Sequence, residues 1–197
     1  MQNILSPTIC LASSSPYRRS LLDRILSKYK ILAPNIDESE KEGLPPKKFV
    51  SSLAYKKAIK VRNFEKDSLI IGADQLAVLD NKILNKPGNY ENAFKQLSEV
   101  SGRIVTFLTA VCILDPKSNN HYEFTDVTKT KFRKLNNIII NNYLSLDKPY
   151  NCAGSFKIEG AGFILFDSIK TNDPTALIGL PMIWLTNQLL ELGYLKS

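Results

Sequence analysis

Five charged side chains stand out in this sequence as groups that could do chemistry. They are two carboxylates and three cations: Glu38, Asp74, Arg18, Lys57 and Lys86. All but Lys57 lie in polar segments that directly follow apolar runs, namely SSSPYRR, PNIDES, GADQ and LNKP. Carboxylate oxygens bind hard divalent cations, and Lys and Arg hold phosphate oxygens. The set therefore has the composition of a site for a metal-bound polyphosphate, although GADQ and NKP taken singly also fit ordinary turns.

The first polar segment connects a predicted strand to a predicted helix. TICLAS is a short apolar run typical of a buried strand, and serines before Pro16 predict a helix start. Such a helix N-terminus favours a bound anion, which would also account for Arg18 and Arg19 in the first turn. A serine cap with two solvated arginines is the alternative. The apolar residues that follow share one helical face: Leu21, Leu22, Ile25 and Leu26.

The other elements must bring the remaining polar segments together, because ligands of α/β folds bind where strands end. KYKILAP predicts a strand, NIDESEKEGLPP an acidic loop, and residues 46–63 a helix. SLIIGADQLAVLDNKIL predicts two strands that meet at a polar elbow, the second ending in the hairpin turn LDNK. Further on, the sequence predicts a helix capped by Asn89, long strands over 103–114 and 122–132, a helix in LNNIIINNYLSL, a strand in FILFD and a last helix from Pro181. This interleaving predicts an α/β fold, and the long strand pair disfavours a purely parallel sheet.

Composition narrows the class of protein. The 197 residues, 44% of them hydrophobic, fit one globular domain over residues 1–197 or two intimate lobes. The chain has no apolar run long enough to span a membrane and no secretory leader, so we expect a cytoplasmic protein without a membrane partner. Cys10, Cys112 and Cys152 are odd in number and far apart, which favours reduced core thiols. The single histidine, His121, lies among turn residues and excludes multi-histidine metal chemistry.

The net charge of +7 indicates an anionic partner, either nucleic acid or a phosphorylated small molecule. The basic residues fall in short clusters, PPKKF, YKKAIKVR and KTKFRK, without a nucleic-acid-binding motif or a basic tail. Each cluster alone is typical of a solvated surface. A small phosphorylated substrate is therefore favoured over nucleic acid.

A series of short motifs extends over nearly the whole chain: LASSSPYRRSLL, NIDE, LAYKKA, IIGADQL, NKP, SGRIVTF, CAGSFKIEGAG and ALIGLP. In order and spacing they resemble the Maf family of nucleotide pyrophosphatases. The resemblance implies an elongated mixed β-sheet flanked by helices, as in Maf and inosine triphosphate pyrophosphatase-like folds, usually as a homodimer. It also implies hydrolysis of a nucleoside triphosphate to the monophosphate and diphosphate with a divalent cation, Mg²⁺ or Mn²⁺.

The resemblance implies roles for individual residues. Asp74 corresponds to the proton acceptor, and Glu38 and Asp74 to the carboxylates on the metal side. Asn85 stands where the family usually has a glycine before the lysine of the NKP motif. Asparagine tolerates a left-handed backbone almost as well as glycine does. Phosphate contacts are implied for four residues, Ser13, Arg18, Lys57 and Lys86.

Three positions distinguish the substrate subgroups of the family, and here they carry Tyr17, Gln75 and Glu159. They resemble the 7-methyl-GTP subgroup, which has an aromatic residue (usually Trp), Gln and Glu, and not the dTTP and UTP subgroup, which has Arg, Thr and Gln. N7-methylguanine is cationic, so the ring of Tyr17 would attract it. The carboxylate of Glu159 would accept from the adjacent N1–H and N2–H of guanine.

Less specific interpretations stay open for the same residues. Tyr17 could simply pack at the strand end, Glu159 could be a solvated acid in a glycine-rich loop, and Asp74 could be a turn carboxylate. A pyrophosphatase for dTTP and UTP is the nearest alternative function. A non-enzymatic nucleic-acid binder or cell-division regulator is the alternative from another class.

Overall fold

A seven-stranded mixed β-sheet forms the centre of the fold in the computed structural model, which describes residues 8–39, 43–118 and 120–196. Its strand order is β2-β1-β3-β5-β6-β7, and the short β4 pairs with β3. The strands are β1 (Ile9–Ala12), β2 (Lys30–Ile31), β3 (Leu69–Leu79), β4 (Lys82–Leu84), β5 (Ile104–Leu114), β6 (His121–Phe132) and β7 (Phe166–Lys170). The helices are α1 (Pro16–Leu22), α2 (Pro46–Arg62), α3 (Tyr90–Val100), α4 (Asn137–Asp147) and α5 (Met182–Glu191). The predicted mixed α/β class is confirmed.

The long strand β3 differs from its prediction. We expected two strands that meet at a polar elbow in GADQ, but Leu69–Leu79 is one continuous strand, and Asp74 lies in its middle. Nine consecutive residues of β3, from Ile70 to Val78, pair antiparallel with β5. Because β5 supplies partners throughout, the polar residues Asp74 and Gln75 do not interrupt the strand.

Helix α2 packs tightly on one face of this strand. A Cβ atom at Gly72 would lie 2.3 Å from the carbonyl oxygen of Ala54 and 2.8 Å from the backbone nitrogen of Ala58. Only glycine therefore permits this approach of helix to strand. Asp74 follows two residues later on the same face of β3. The close packing at Gly72 therefore places this part of α2 near Asp74.

Two apolar clusters cover the opposite face of the sheet. One lies under α1 and α5, with Leu21, Leu185 and Leu189 fully buried, and the other lies under α3 and α4, with Leu97 and Tyr143 fully buried. The middle of the sheet between them carries polar side chains of β3, β5 and β6, including Thr109 and Asp126.

Several boundaries differ from the sequence-based prediction. Helix α1 ends at Leu22, so Ile25 and Leu26 lie beyond it and pack on the same apolar cluster from a turn. In KYKILAP only Lys30–Ile31 form a strand. FILFD divides, since Gly162–Leu165 form a 3-10 turn and β7 begins at Phe166. Of the predicted acidic loop, residues 40–42 lie outside the described residues.

Cys10 and Cys112 agree with their predictions, whereas Cys152 and the placement of His121 among turn residues do not. Cys10 and Cys112 are buried, and burial raises the pKa of Cys10 to about 11. His121 is exposed and is the first residue of β6. Cys152 is free but only half-buried, and it lies in the cleft described below. The prediction that it is a core thiol is wrong, because the segment around it is a loop.

Candidate active site

A cleft of about 740 Å³ opens at a gap along one edge of β3. On this edge β1 pairs with Leu69–Gly72 and β4 pairs with Ala77–Leu79. On this edge, no strand within the described residues pairs with the four residues between them, 73–76, which pair only with β5 on the other edge. Because β1 runs parallel to β3 and β4 antiparallel, both strands end facing this gap. The segments that follow them, SSSPYRR and NKP, therefore meet around Asp74.

Two carboxylates meet at the ammonium group of Lys57. Its Nζ lies 2.6 Å from Oδ1 of Asp74 and 2.6 Å from Oε1 of Glu38. Lys57 comes from α2, Asp74 from β3, and Glu38 from the loop after β2. Lys57 and Asp74 are buried, at 5% and 8% exposure, and the Glu38 side chain is about half exposed. The carboxylates thus converge on one cation at the mouth of the cleft.

Arg18 is held beside the same carboxylate by three contacts. Its Nε donates to the carbonyl oxygen of Gly179 at 3.0 Å, its Nη1 donates to Oγ of Ser13 at 3.3 Å, and its Nη2 lies 3.9 Å from Oδ1 of Asp74. Burial lowers the pKa of Arg18, while the charges of Asp74 and Glu38 act in the opposite direction. The guanidinium is thereby fixed by groups far apart in the sequence.

Lys86 completes what we call the charged group, which consists of Arg18, Glu38, Lys57, Asp74 and Lys86. Lys86 follows β4, is exposed and lines the same cleft. Its charge reaches Glu38: partial burial acts to raise the pKa of Glu38, but the hydrogen bond and charge of Lys57, with Lys86 and Arg18, lower it overall. The charged group has three cations and two carboxylates.

The carboxylates of the charged group fit a hard divalent cation. Within the described residues, no three or more His, Cys, Asp and Glu side chains are grouped so that they could hold a metal ion by themselves. Mg²⁺ in nucleotide sites commonly uses one or two carboxylates together with substrate phosphates. Glu38 and Asp74 both reach 2.6 Å from one ammonium nitrogen, so their oxygens can converge on a cation.

A second set of side chains, the loop group, consists of Tyr17, Cys152 and Glu159. All three line the cleft. Burial, then the neighbouring thiol of Cys152 and the charges of Glu159 and Asp147, raise the pKa of Tyr17 to about 12. Burial also raises the pKa of Glu159, and the nearby backbone N–H groups and Lys157 only partly offset it. The loop group thus combines an aromatic ring with a carboxyl group.

Helix α4 anchors the loop that carries Glu159. The hydroxyl of Tyr143, a fully buried residue of α4, accepts from the backbone N–H of Lys157 at 2.8 Å. The Asp147 carboxylate, at the end of α4, accepts from the backbone N–H of Ala161 at 2.9 Å. Lys157 Nζ donates to the Asp147 carbonyl at 2.7 Å. The residues on both sides of Glu159 are therefore fixed to one helix.

Gln75 lies on the opposite face of β3 from Asp74, and its side-chain nitrogen is used inside the protein. Nε2 donates to the hydroxyl of Thr109 at 3.0 Å and to the carbonyl oxygens of Ala176 and Leu177 at 2.9 and 3.1 Å. Gln75 still lines the cleft. Its amide N–H groups are nevertheless directed at the 3-10 turn Ala176–Ile178 and away from the open space.

Comparison with known proteins shows the family of the chain. The model of the family described as Maf-like protein matches residues 8–192. The chain belongs to the Maf family. It is 43% identical over 188 residues to the 7-methyl-GTP pyrophosphatase of Alcanivorax borkumensis, covering 95% of each chain. It is 40% identical over 186 residues to the 7-methyl-GTP pyrophosphatase of Colwellia psychrerythraea, covering 94% of this chain and 93% of that one.

Among solved structures, the Staphylococcus aureus Ham1 protein is similar with a TM-score of 0.45 and 15% sequence identity. That similarity covers 64% of this chain and 71% of the Ham1 chain.

This Maf chain brings every site residue predicted from its sequence into one cleft. The nine residues are Ser13, Tyr17, Arg18, Glu38, Lys57, Asp74, Gln75, Lys86 and Glu159. Sequence reasoning missed two participants. Cys152 precedes Glu159 within the motif CAGSFKIEGAG, so its place in that motif could have indicated it. Gly179 contacts Arg18 through a backbone carbonyl, which no residue type reveals.

The sequence predicted that the N-terminus of α1 would attract an anion, but the structure offers a different source of attraction. Ser15 caps the helix as predicted, with Oγ accepting from the backbone N–H of Arg18 at 3.4 Å. The helix has only seven residues, so its dipole is small. The cationic side chains of the charged group are the stronger attraction for an anion at this place.

Proposed function

We propose that this protein hydrolyses 7-methyl-GTP to 7-methyl-GMP and diphosphate, by attack of water on the α-phosphorus. The observation that carries the proposal is the convergence of Lys57, Glu38 and Arg18 around Asp74 in the cleft. Relatives named 7-methyl-GTP pyrophosphatase match nearly the full length of the chain. The loop group supplies the side chains that would distinguish the base.

Asp74 would be the general base. Its hydrogen bond from Lys57 and its contact with Arg18 both fall on Oδ1. Oδ2 is therefore the oxygen available to a water molecule. As the water oxygen forms its bond to the α-phosphorus, Oδ2 accepts the water proton and the bond from phosphorus to the bridging oxygen of diphosphate breaks.

The cations of the charged group would hold the phosphates. Arg18 presents its fork from a fixed position, because Gly179 and Ser13 already hold two of its nitrogens. Lys57 is buried beside the reacting group, and the exposed Lys86 can reach the outer phosphates. Charge-assisted hydrogen bonds of this kind stabilise the departing diphosphate as its negative charge increases.

Glu38 and Asp74 would hold the divalent cation. Mg²⁺ or Mn²⁺, when bound, would neutralise phosphate charge and polarise the phosphorus–oxygen bonds. The carboxylates contribute two negative charges, one of which the ammonium group of Lys57 balances.

Recognition of the base would rest on Tyr17 and Glu159. The ring of Tyr17 offers an aromatic face to the cationic 7-methylguanine, a contact worth about 0.5–2 kcal/mol. Glu159 can accept from both N1–H and N2–H, whereas a uracil or thymine edge presents one N–H between two carbonyl oxygens. The carboxylate therefore favours guanine over pyrimidines.

Release of diphosphate from a panel of triphosphates tests the proposal. The panel contains 7-methyl-GTP, GTP, UTP and dTTP, each with and without Mg²⁺ or Mn²⁺. We expect metal-dependent release with the highest kcat/KM for 7-methyl-GTP. A preference for UTP or dTTP would overturn the choice of base. Release from none, together with salt-sensitive binding of DNA or RNA, would favour a nucleic-acid binder.

Three expectations from the sequence stay predictions. They are the single domain over residues 1–197, the homodimer and the cytoplasmic location. No helix in the described part of the chain is long and apolar enough to cross a membrane. Light scattering of the purified protein tests the homodimer.

A further inference from the structure

A polar row crosses the sheet between its two apolar clusters. Gln75 of β3 is directly opposite Thr109 of β5, and Thr109 is directly opposite Asp126 of β6. Thr109 and Asp126 are buried, at 0% and 2% exposure. Buried polar side chains need partners. Besides the bond between Gln75 and Thr109 and the bond from Thr128 to Asp126, the row has its partners on residues 171–178.

Gln75 and Thr109 bind the same carbonyl group. The Thr109 hydroxyl donates to the carbonyl oxygen of Ala176 at 2.8 Å and accepts from Nε2 of Gln75 at 3.0 Å. Nε2 also donates to the carbonyl oxygens of Ala176 and Leu177. Two side chains from neighbouring strands thus fix the start of the 3-10 turn Ala176–Ile178.

The end of the same turn holds Arg18. Gly179 follows the turn with φ at +134°, and its carbonyl oxygen accepts from Nε of Arg18 at 3.0 Å. Its Cα is close enough to the Arg18 side chain that a Cβ would lie 3.3 Å from Cγ of Arg18. A shift of the turn would therefore move the acceptor that orients the guanidinium.

Polar contacts also fix the segment before the turn. The Thr171 hydroxyl donates to the carbonyl oxygen of Asp173 at 2.8 Å and lies 3.4 Å from Oδ1 of Asp126. The Asp173 carboxylate accepts from the backbone N–H of Thr175 and of Ile183. With both sides constrained, displacement of the carbonyls at Ala176 and Leu177 is passed on to Gly179.

We infer that Gln75 and Thr109 are positioning residues for Arg18, acting through the turn Ala176–Gly179. The inference rests on the proposed function, in which Arg18 binds phosphate. Gln75 also lines the cleft, so it can act on the base as well, whereas Thr109 does not line it. The consequence is that loss of Thr109 weakens binding of every triphosphate to the same degree.

A ligand without a base tests this directly. Binding of tripolyphosphate with Mg²⁺ is measured by calorimetry for wild type, Thr109→Val, Gln75→Met and the double variant. Thr109→Val is the decisive variant, because Thr109 is fully buried and does not line the cleft. We expect each single substitution to raise Kd roughly three- to tenfold. The double variant should raise Kd by more than either single substitution, but by less than the product of the two single factors.

Two further variants separate positioning from general destabilisation. Thr109→Ser keeps the hydroxyl and should restore wild-type affinity for tripolyphosphate. Thr130→Val removes another fully buried hydroxyl, which donates to the carbonyl of Val105 at 3.1 Å, and should leave affinity unchanged. Melting temperatures of all variants show whether the two Thr→Val changes cost comparable stability.

Kinetic measurements on the panel of triphosphates provide the result that could overturn the inference. Under the inference, kcat/KM for 7-methyl-GTP, GTP and UTP falls by similar factors in Thr109→Val. Unchanged tripolyphosphate binding in Thr109→Val and Gln75→Met, or a changed ratio of 7-methyl-GTP to UTP in Thr109→Val, would overturn it. The proposed function fails separately, if wild type binds tripolyphosphate but releases no diphosphate from any substrate.

Discussion

The charged group and the loop group line one cleft but are built differently. Arg18, Lys57 and Asp74 are on helices and the central strand, and each contacts residues distant in sequence. Lys57 and Asp74 are buried, and the Arg18 side chain is 12% exposed. Cys152 and Glu159 are on the irregular segment 148–161, which is held mainly by α4. The buried centre of the charged group therefore rests on regular elements, whereas Cys152 and Glu159 of the loop group are carried by a loop. The division is not complete, since Tyr17 is on α1 and Glu38 and Lys86 are on loops.

Under the proposed function, this difference would separate catalysis from selectivity. Hydrolysis needs reacting groups held to within fractions of an ångström, and regular elements provide this. Selectivity for a base needs only a few side chains at the far side of the cleft, and a loop can change them without disturbing the sheet. Substitutions in the charged group should therefore affect all substrates, and those in the loop group should affect the choice among them.

The largest effect is expected from Asp74→Asn. The amide keeps the bulk of Asp74 but cannot accept the proton of water, so kcat should fall by roughly a hundred- to ten-thousandfold for every substrate. Steady-state rates of diphosphate release measure this, with nucleotide affinity and melting temperature measured in parallel. Asp80→Asn, in the exposed turn after β3, is the matched control and should leave kcat unchanged. A folded Asp74→Asn protein within a few-fold of wild type would remove Asp74 as the base.

Glu159→Gln should change selectivity and leave the charged group intact. The amide loses one acceptor toward guanine and gains a donor for a pyrimidine carbonyl, so the ratio of kcat/KM for 7-methyl-GTP to that for UTP should fall roughly ten- to a hundredfold. Tyr17→Arg should act in the same direction, because it replaces an attracting ring with a repelling charge. If neither variant moves the ratio while wild type prefers 7-methyl-GTP, the loop group does not select the base.

Glu38→Gln should raise the requirement for metal. Loss of one anionic oxygen weakens the hold on a hard cation, so the Mg²⁺ concentration for half-maximal activity should rise roughly tenfold or more. Titration of activity with Mg²⁺ gives the value. Glu65→Gln removes a carboxylate bonded to Lys30 outside the cleft and should not alter the titration. Superimposable curves for Glu38→Gln and wild type would exclude Glu38 from the metal site.

The same comparison explains how far the sequence predicts the molecule. The elements with strong local patterns, such as α2, α3 and the β5–β6 pair, are confirmed within a residue or two. The prediction of an elbow at GADQ is wrong, because pairing with β5 keeps these polar residues inside a continuous strand. Tertiary pairing of this kind overrides local polarity.

At the site, the sequence predicted which residues line the cleft better than it predicted which atoms these residues contact. Each of the nine predicted residues lines it, because their motifs lie where β1 and β4 end or on elements that face the gap. The contact of Arg18 with the carbonyl of Gly179 joins positions 161 residues apart through a backbone atom. Neither Gln75 nor Gly179 carries a local sequence pattern that would reveal that connection.

The selectivity should also depend on pH through Glu159. Glu159 is exposed, but the protein around its carboxyl removes part of the surrounding water, and this raises its pKa above the ordinary value of 4.5. The carboxyl therefore becomes protonated at a higher pH than a fully solvated glutamate. Protonation removes an acceptor, and the ratio of kcat/KM for 7-methyl-GTP to that for UTP should therefore fall as pH decreases toward the raised pKa of this carboxyl. In Glu159→Gln the ratio should not fall with pH in this way. A pH dependence that persists in Glu159→Gln would assign it to another group.

The smallest effect is expected from Tyr143→Phe, which tests whether the loop group depends on α4. The substitution removes the hydroxyl that accepts from the backbone N–H of Lys157, and so loosens the loop around Glu159 without touching the cleft. Preference for 7-methyl-GTP over UTP should fall about two- to fivefold, while tripolyphosphate binding stays at its wild-type value. Tyr194→Phe is the matched control, since its hydroxyl donates to Asp115 at 2.7 Å outside the cleft. If Tyr143→Phe weakens tripolyphosphate binding as strongly as it lowers the preference, the two groups are coupled through the fold and the division between them fails.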